Sequence, residues 1–398
     1  MRILVITDKL YPDEIGGSCT YCYHTSIGLS KLGHKVDIFT GYPDKKNNNN
    51  YFGKINLYRY LDKKRIFNSS KKLSEIINEN NYDSLIFHSI IGWLIYSLIR
   101  KKLSKRHKEM AIFHGPWSKE AKLKFISKRD YLKLLIVPIM RLIEYRYARQ
   151  LNNYIVLSNY MKEELKQMNK STRNKKYKII PGGVNLDEYT RLYTKQEARA
   201  KLNIDNDEIV LFSLRRLDIR MGLQNAINAL DKINIHSKKV TFFIGGKGPY
   251  ESELKKKAEK LKKSRCIFTG FIPEQELNQY FCAADLFLIP SLDLEGFGLV
   301  ILESLAMGLP VLVTPQGGMK EMEGKLENYY ITNGFNPNDI SRKIEEIYAN
   351  NKFKVTYDYK LLKYDWLEIT KQIEAFIYGG GLEVTDGEPI SLYSNVKL

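Results

Sequence analysis

Strand-length apolar runs alternate with helix-length segments along most of the chain, in two successive series. The first series is RILVIT, KVDIFT, SLIFHS, MAIFHG, YIVLS and KYKIIP; the second is IVLFSL, VTFFIGG, CIFTG, LFLIP, PVLVT and NYYIT. Such runs, separated by crossover lengths, specify a parallel sheet with helices on both faces. Two series predict two α/β units, and 398 residues are enough for both. The expected division is a first unit over 1–187, a polar linker over 188–205 and a second unit over 206–362. Residues 45–50, KKNNNN, read as a low-complexity loop, and the glycine-led tail over 379–398 has no periodicity.

Composition narrows the class. A chain that is 43% hydrophobic and 27% charged is globular. No apolar run reaches the 18 residues a membrane span needs, and Ile90–Ile99 and Leu134–Met140 are too short. The opening MRILVIT reads as a buried strand, so no signal peptide is expected. Cys19 and Cys22 have C-x-x-C spacing, but no second pair stands at zinc spacing. They read as reduced thiols on one helix, with the cytoplasm as the default compartment.

The net charge of +18 lies entirely in residues 1–190, and residues 191–398 sum to zero. Its densest part, Arg100–Gln150, holds 15 basic and 4 acidic residues interleaved with Phe, Tyr, Leu and Ile. That mixture suits an anionic membrane surface first, and a solvated lysine-rich face next. No nucleic-acid motif accompanies the charge, so a nucleic-acid partner is not expected.

The segment LEGFGLVILESLAMGLPVL, 294–312, carries the most chemistry. Glu295 and Glu303 are eight steps apart, with Gly296, Gly298 and a helix start near Phe297–Leu299 between or beside them. Glycines let backbone approach a ligand closely, and free N–H groups at a helix start attract anions. Two carboxylates suit diols, and eight helical steps span at most roughly 12 Å. A nucleotide sugar has hydroxyls at both ends and phosphates between. A buried helix with an acidic entry is the plainer reading, but Glu303 among Val300, Ile301, Leu302, Leu305 and Ala306 is costly without a partner.

In order along the chain come YPDEIGGSCTY, IFHGPW, IVLSNYMKEEL, KIIPGGVNLDEY, LFSLRRLDIRMGL, FFIGGKGPYESEL, FTGFIPEQELNQYFCAADLFLIPS and the two-glutamate segment. From about Met1 to Tyr378 the sequence resembles the retaining glycosyltransferases of family 4. That resemblance implies the GT-B fold: two Rossmann-like domains facing a central cleft, with an acceptor-side first domain and a nucleotide-sugar-binding second domain. It also implies that the helix over 363–378 crosses back to the first domain.

The implied reaction transfers a sugar from a nucleoside diphosphate sugar, a UDP-sugar above others, to an acceptor hydroxyl with retention by front-face attack. The acceptor would be a glycan or lipid-linked glycan of the cell envelope, and the enzyme peripheral at the inner membrane face. By the resemblance, His114, Arg216, Arg220 and Glu295 are the catalytic candidates and His88 an acceptor-side candidate. Gly16, Gly17, Arg215, Gly246, Gly248, Phe271, Ile272, Gly296, Phe297, Gly298, Leu299 and Glu303 would bind the donor. Neither a cofactor nor a metal is expected. One departure stands out: Met221 occupies the position where the family has a lysine, and Arg220 is its candidate substitute. A nucleotide-sugar epimerase on the same fold, or a non-enzymatic basic protein binding anionic lipid or nucleic acid, are the alternatives.

Overall fold

The computed structural model describes residues 1–41, 51–62, 64–127, 130–235 and 238–379. The asparagine-rich loop and all but the first residue of the glycine-led tail lie outside them. The first unit runs β1 (Arg2–Ile6), α1 (Gly17–Lys31), β2 (Lys35–Gly41), β3 (Tyr51–Phe52), β4 (Ile55–Leu61), α2 (Ile66–Asn80), β5 (Ser84–Phe87), α3 (Ile90–Ser97), β6 (Lys108–Phe113), α4 (Trp117–Ser127), α5 (Val137–Gln150), β7 (Asn153–Val156), α6 (Asn159–Met168) and β8 (Lys176–Ile179). The second runs α7 (Lys195–Lys201), β9 (Ile209–Leu214), α8 (Leu223–Leu230), β10 (Val240–Gly245), α9 (Glu251–Ala258), β11 (Arg265–Gly270), α10 (Glu274–Ala283), β12 (Leu286–Ile289), α11 (Leu299–Ala306), β13 (Val311–Val313), β14 (Tyr329–Ile331) and α12 (Pro337–Ala349). The terminal helix α13 (Trp366–Tyr378) follows.

The first sheet has the order β3-β4-β2-β1-β5-β6-β7-β8 and is parallel except for the short β3–β4 pairing. The second, β11-β10-β9-β12-β13-β14, is parallel throughout. Strands such as Ile3–Ile6 and Val210–Phe212 are buried along their length, as strands covered by helices on both faces must be. In each sheet the order reverses at a central strand, β1 in the first and β9 in the second. Crevices in such sheets open beyond the carboxyl ends of strands at the reversal. The glycines 16–17 and the arginine cluster 215–220 follow these two strands.

The polar stretch read as a linker is structured at its centre. Thr194 and Glu197 form a reciprocal capping box at the start of α7. The buried Arg199 on that helix donates to the Asp285 carboxylate at 2.8 Å and to the Ala283 carbonyl at 3.1 Å. The stretch is thereby fastened to the second unit.

The terminal helix packs on α1. A Cβ on Gly28 would stand 2.2 Å from Thr370 Oγ1, so only glycine admits this approach. The Val184 N–H donates to the Tyr364 carbonyl at 2.9 Å, and Trp366 lies where a Cβ on Gly183 would fall, 2.7 Å from the indole. Cys19 and Cys22 are buried on α1 as free thiols, and burial pushes the Cys19 thiol up to about 11.

Candidate active site

The segment 294–303 sits in the cleft between the two sheets, braced from both sides. Its entry needs unusual backbone: Leu294 has φ 52° and Gly298 has φ 83°, and Gly298 caps α11 without a side chain. From the second unit, the Gly318 N–H donates to the Glu295 carbonyl at 3.0 Å. From the first, a Cβ on Gly182 would lie 2.1 Å from Leu299 and 3.0 Å from Phe297. A Cβ on Gly17 would lie 3.9 Å from Leu299, while one on Gly16 would meet nothing within 4 Å. The starts of α1 and α11 therefore face each other across the cleft, and both offer unsatisfied backbone N–H groups to an anion.

The Glu295 carboxylate is held on one oxygen. Oε2 accepts from the Arg215 guanidinium and from the Ser291 hydroxyl at 3.1 Å. Oε1 is directed toward Gly298, 3.7 Å from where a Cβ would stand there. Arg215 is almost wholly buried, with a side chain 6% exposed. Its Nε and Nη1 have no hydrogen-bond partner among the described residues. Nη2 also lies 3.3 Å from the Met221 sulfur.

The three arginines diverge. Arg220 donates to the Leu294 carbonyl at 3.2 Å and pairs with Glu120 of the first unit at 3.5 Å. Arg216 is exposed, with Glu120 within its electrostatic reach. Glu120 was not among the sequence candidates, because one acid in the first turn of a helix looks like ordinary dipole compensation. Burial raises its pKa, and Arg220 and then Arg216 oppose that rise.

Glu303 lies deeper, in the second turn of α11. Burial raises its pKa to about 7; the Tyr189 hydroxyl opposes the rise, while Glu274 and Glu188 add to it. Glu274 also accepts from the Tyr11 hydroxyl at 3.2 Å, so the two units meet at this end of the cleft as well.

His88 and His114 follow β5 and β6 and touch, with Nδ1 of His88 3.1 Å from Nε2 of His114. One nitrogen must donate and the other accept, so the contact fixes opposite roles for the two rings. Burial drives both pKa values down, that of His114 to about 4 and that of His88 further by the neighbouring His114. Tyr21 packs edge-on against His114 with ring centroids 5.4 Å apart.

The loop glycines after β10 have a packing reason as well. A Cβ on Gly246 would lie 1.9 Å from the Arg215 carbonyl and one on Gly248 2.1 Å from the Leu217 carbonyl. These glycines let two loops of the second unit cross. Beyond them Phe271 is exposed and Ile272 is buried.

Two parallel-sheet Rossmann-like units facing a cleft, with a paired-glutamate helix start between them, define a GT-B glycosyltransferase. The chain belongs to the group 1 and family 4 glycosyltransferases: the profile described as Glycosyltransferase Family 4 matches residues 15–188, and that described as Glycosyl transferases group 1 matches 194–360. It is a hexosyltransferase-type enzyme. It is 27% identical to alpha-monoglucosyldiacylglycerol synthase of Streptococcus pneumoniae, over 91% of this chain and 86% of that protein. It is 25% identical to an uncharacterised glycosyltransferase of Methanocaldococcus jannaschii, over 94% and 96%. Among solved structures, HepE of Anabaena in complex with UDP-glucose shares the fold at TM-score 0.74, with 17% identity over 95% of this chain and all of that one.

Proposed function

We propose that this enzyme transfers a hexose from a UDP-sugar to a hydroxyl of a glycan or lipid-linked acceptor, with retention of anomeric configuration. The observation that carries this reading is the held Glu295. With Oε2 tied to Arg215 and Ser291, Oε1 is left toward the glycine-led start of α11, where donor-sugar hydroxyls have a fixed acceptor. Glu303 then takes the ribose diol. Arg220, the orphaned donors of Arg215 and the facing helix starts stabilise charge that develops on the departing diphosphate. That set supports a transfer in which these groups, and not a metal ion, meet the diphosphate. Arg216 enters only if donor binding draws it in from solvent. His114 contacts the transferring sugar, with His88 fixing its ring on the acceptor side. Its relatives agree in class, since they include an alpha-monoglucosyldiacylglycerol synthase, and a structural neighbour binds UDP-glucose. The strongly basic first unit supports work at the inner face of an anionic membrane.

Thermal denaturation with UDP, GDP and ADP sugars tests the donor. Stabilisation by UDP-sugars, reduced by Glu303→Gln, is the expected result. Proton NMR of the product tests retention. Stabilisation by another nucleotide alone, or an inverted product, overturns the corresponding part of the reading.

A further inference from the structure

The helix α5 has two faces of different character. Its inner face, Val137, Met140, Glu144, Tyr147 and Ala148, is buried against the first unit. Its outer face, continued back through the preceding turn, carries Leu132, Leu135, Ile139 and Leu142 and then Arg146 and Arg149. The spacing alternates three and four, so these six side chains form one row along the helical surface. The leucines and the isoleucine are 82%, 76%, 61% and 54% exposed in that order. A soluble surface rarely strings large aliphatic side chains together in this way.

The row ends in a hollow of about 390 Å³ lined by Leu142, Tyr145, Arg146, Arg149 and Gln150. No carboxylate pairs with either arginine among the described residues, whereas Lys72, Lys166, Lys255, Lys256, Lys343 and Lys371 on other helices each have an i,i+3 or i,i+4 carboxylate partner. Two free guanidiniums beside a polar-rimmed depression match a phosphate, and the aliphatic row beyond them matches acyl chains.

We propose that this face is a docking surface for an anionic phospholipid bilayer, with the aliphatic row inserted at the headgroup boundary and the arginine hollow on a lipid phosphate. A second copy of the chain fits less well, because an isologous contact through this row would bring the like-charged arginine ends into the same interface. The surface deepens the proposed function without depending on it. The helix α5 that bears it packs on α4, whose first turn carries Glu120 against Arg220 in the cleft, so a lipid-borne acceptor would be presented next to the site.

Vesicle flotation of the full chain tests this, with phosphatidylcholine vesicles with and without phosphatidylglycerol. The wild type is expected to prefer the anionic vesicles. Arg146→Glu/Arg149→Glu is expected to lose at least about thirtyfold in affinity for them, since each basic residue near the surface contributes roughly 1 kcal/mol. Leu135→Ser/Ile139→Ser is expected to abolish the binding that persists in high salt, where charge attraction is screened. Both variants alter exposed side chains, and an unchanged thermal shift with UDP-sugar shows that each remains folded. Equal vesicle binding by all three proteins overturns the proposal. So does a wild type that ignores vesicles but is a dimer by light scattering, made monomeric by Leu135→Ser/Ile139→Ser. A protein that floats with anionic vesicles yet binds no nucleotide sugar refutes the proposed function and leaves the docking surface standing.

Discussion

Glu303→Gln tests the central helix most directly. In the folded protein burial raises the Glu303 carboxyl to about 7, from an ordinary 4.5. The difference corresponds to about 3 kcal/mol that the fold loses when this group ionises. The sign follows from proton counting. Between about 4.5 and 7 the folded state holds the proton and the unfolded state does not, so stability falls as pH rises through that window. Below it both states are protonated and nothing is lost. Glutamine keeps the shape and cannot ionise.

Chemical denaturation of both proteins, from pH 4 to pH 8, should therefore show the variant gaining on wild type with rising pH. The gain should reach about 3 kcal/mol, or roughly 5–10 °C in Tm for a unit of this size. Any pH-independent cost of the amide drops out of the comparison. The donor titration should move the other way, because an amide offers one oxygen to a diol where a carboxylate offers two, and donor KM should rise about tenfold or more. A stability gap that is the same at pH 5 and pH 8 would refute the buried-acid argument. Unchanged donor KM in the folded variant would refute the ribose role.

Other expectations follow from the same geometry. Arg215→Met leaves the Glu295 carboxylate largely buried without its cation, and should cost about 3 kcal/mol in denaturation experiments; adding Glu295→Gln should recover most of it, and a double variant no more stable than the single one would contradict the pairing. Gly222→Ala places a Cβ 1.7 Å from the Pro290 carbonyl at φ 72° and should destabilise by more than about 3 kcal/mol, whereas Gly16→Ala has open space and should change stability by less than about 1 kcal/mol while weakening nucleotide binding, as thermal shift would show. His114 is neutral in the fold down to about pH 4, so its contribution is intact above 6.5 and lost as pH falls toward 4; His114→Gln should remove about 3 kcal/mol of that acid-side slope, and the kcat/KM profile should show no histidine inflection between pH 5 and 8.

Much of this molecule follows from local pattern. Two series of apolar runs dictate two parallel sheets, because a strand covered on both faces has no polar side to show. Glu295, Gly298 and Glu303 lie within nine residues of one another, so one helix start fixes their spacing whatever surrounds it. The helix across Cys19 and Cys22 was legible for the same reason.

Where side chains point relative to distant segments was not legible. Three arginines in six residues look equivalent in sequence, yet Arg215 is buried on Glu295, Arg220 bridges to Glu120 from a short 3₁₀ turn and Arg216 faces solvent. Gly246 and Gly248 read as ligand-facing, yet each is also required by a neighbouring carbonyl from residues 215–217. The polar stretch before β9 read as a linker because Arg199 finds its carboxylate 86 residues away. Periodicity and spacing report what a residue's immediate neighbours impose; partners brought together by the crossing of loops and the meeting of two sheets exist only once the chain has closed.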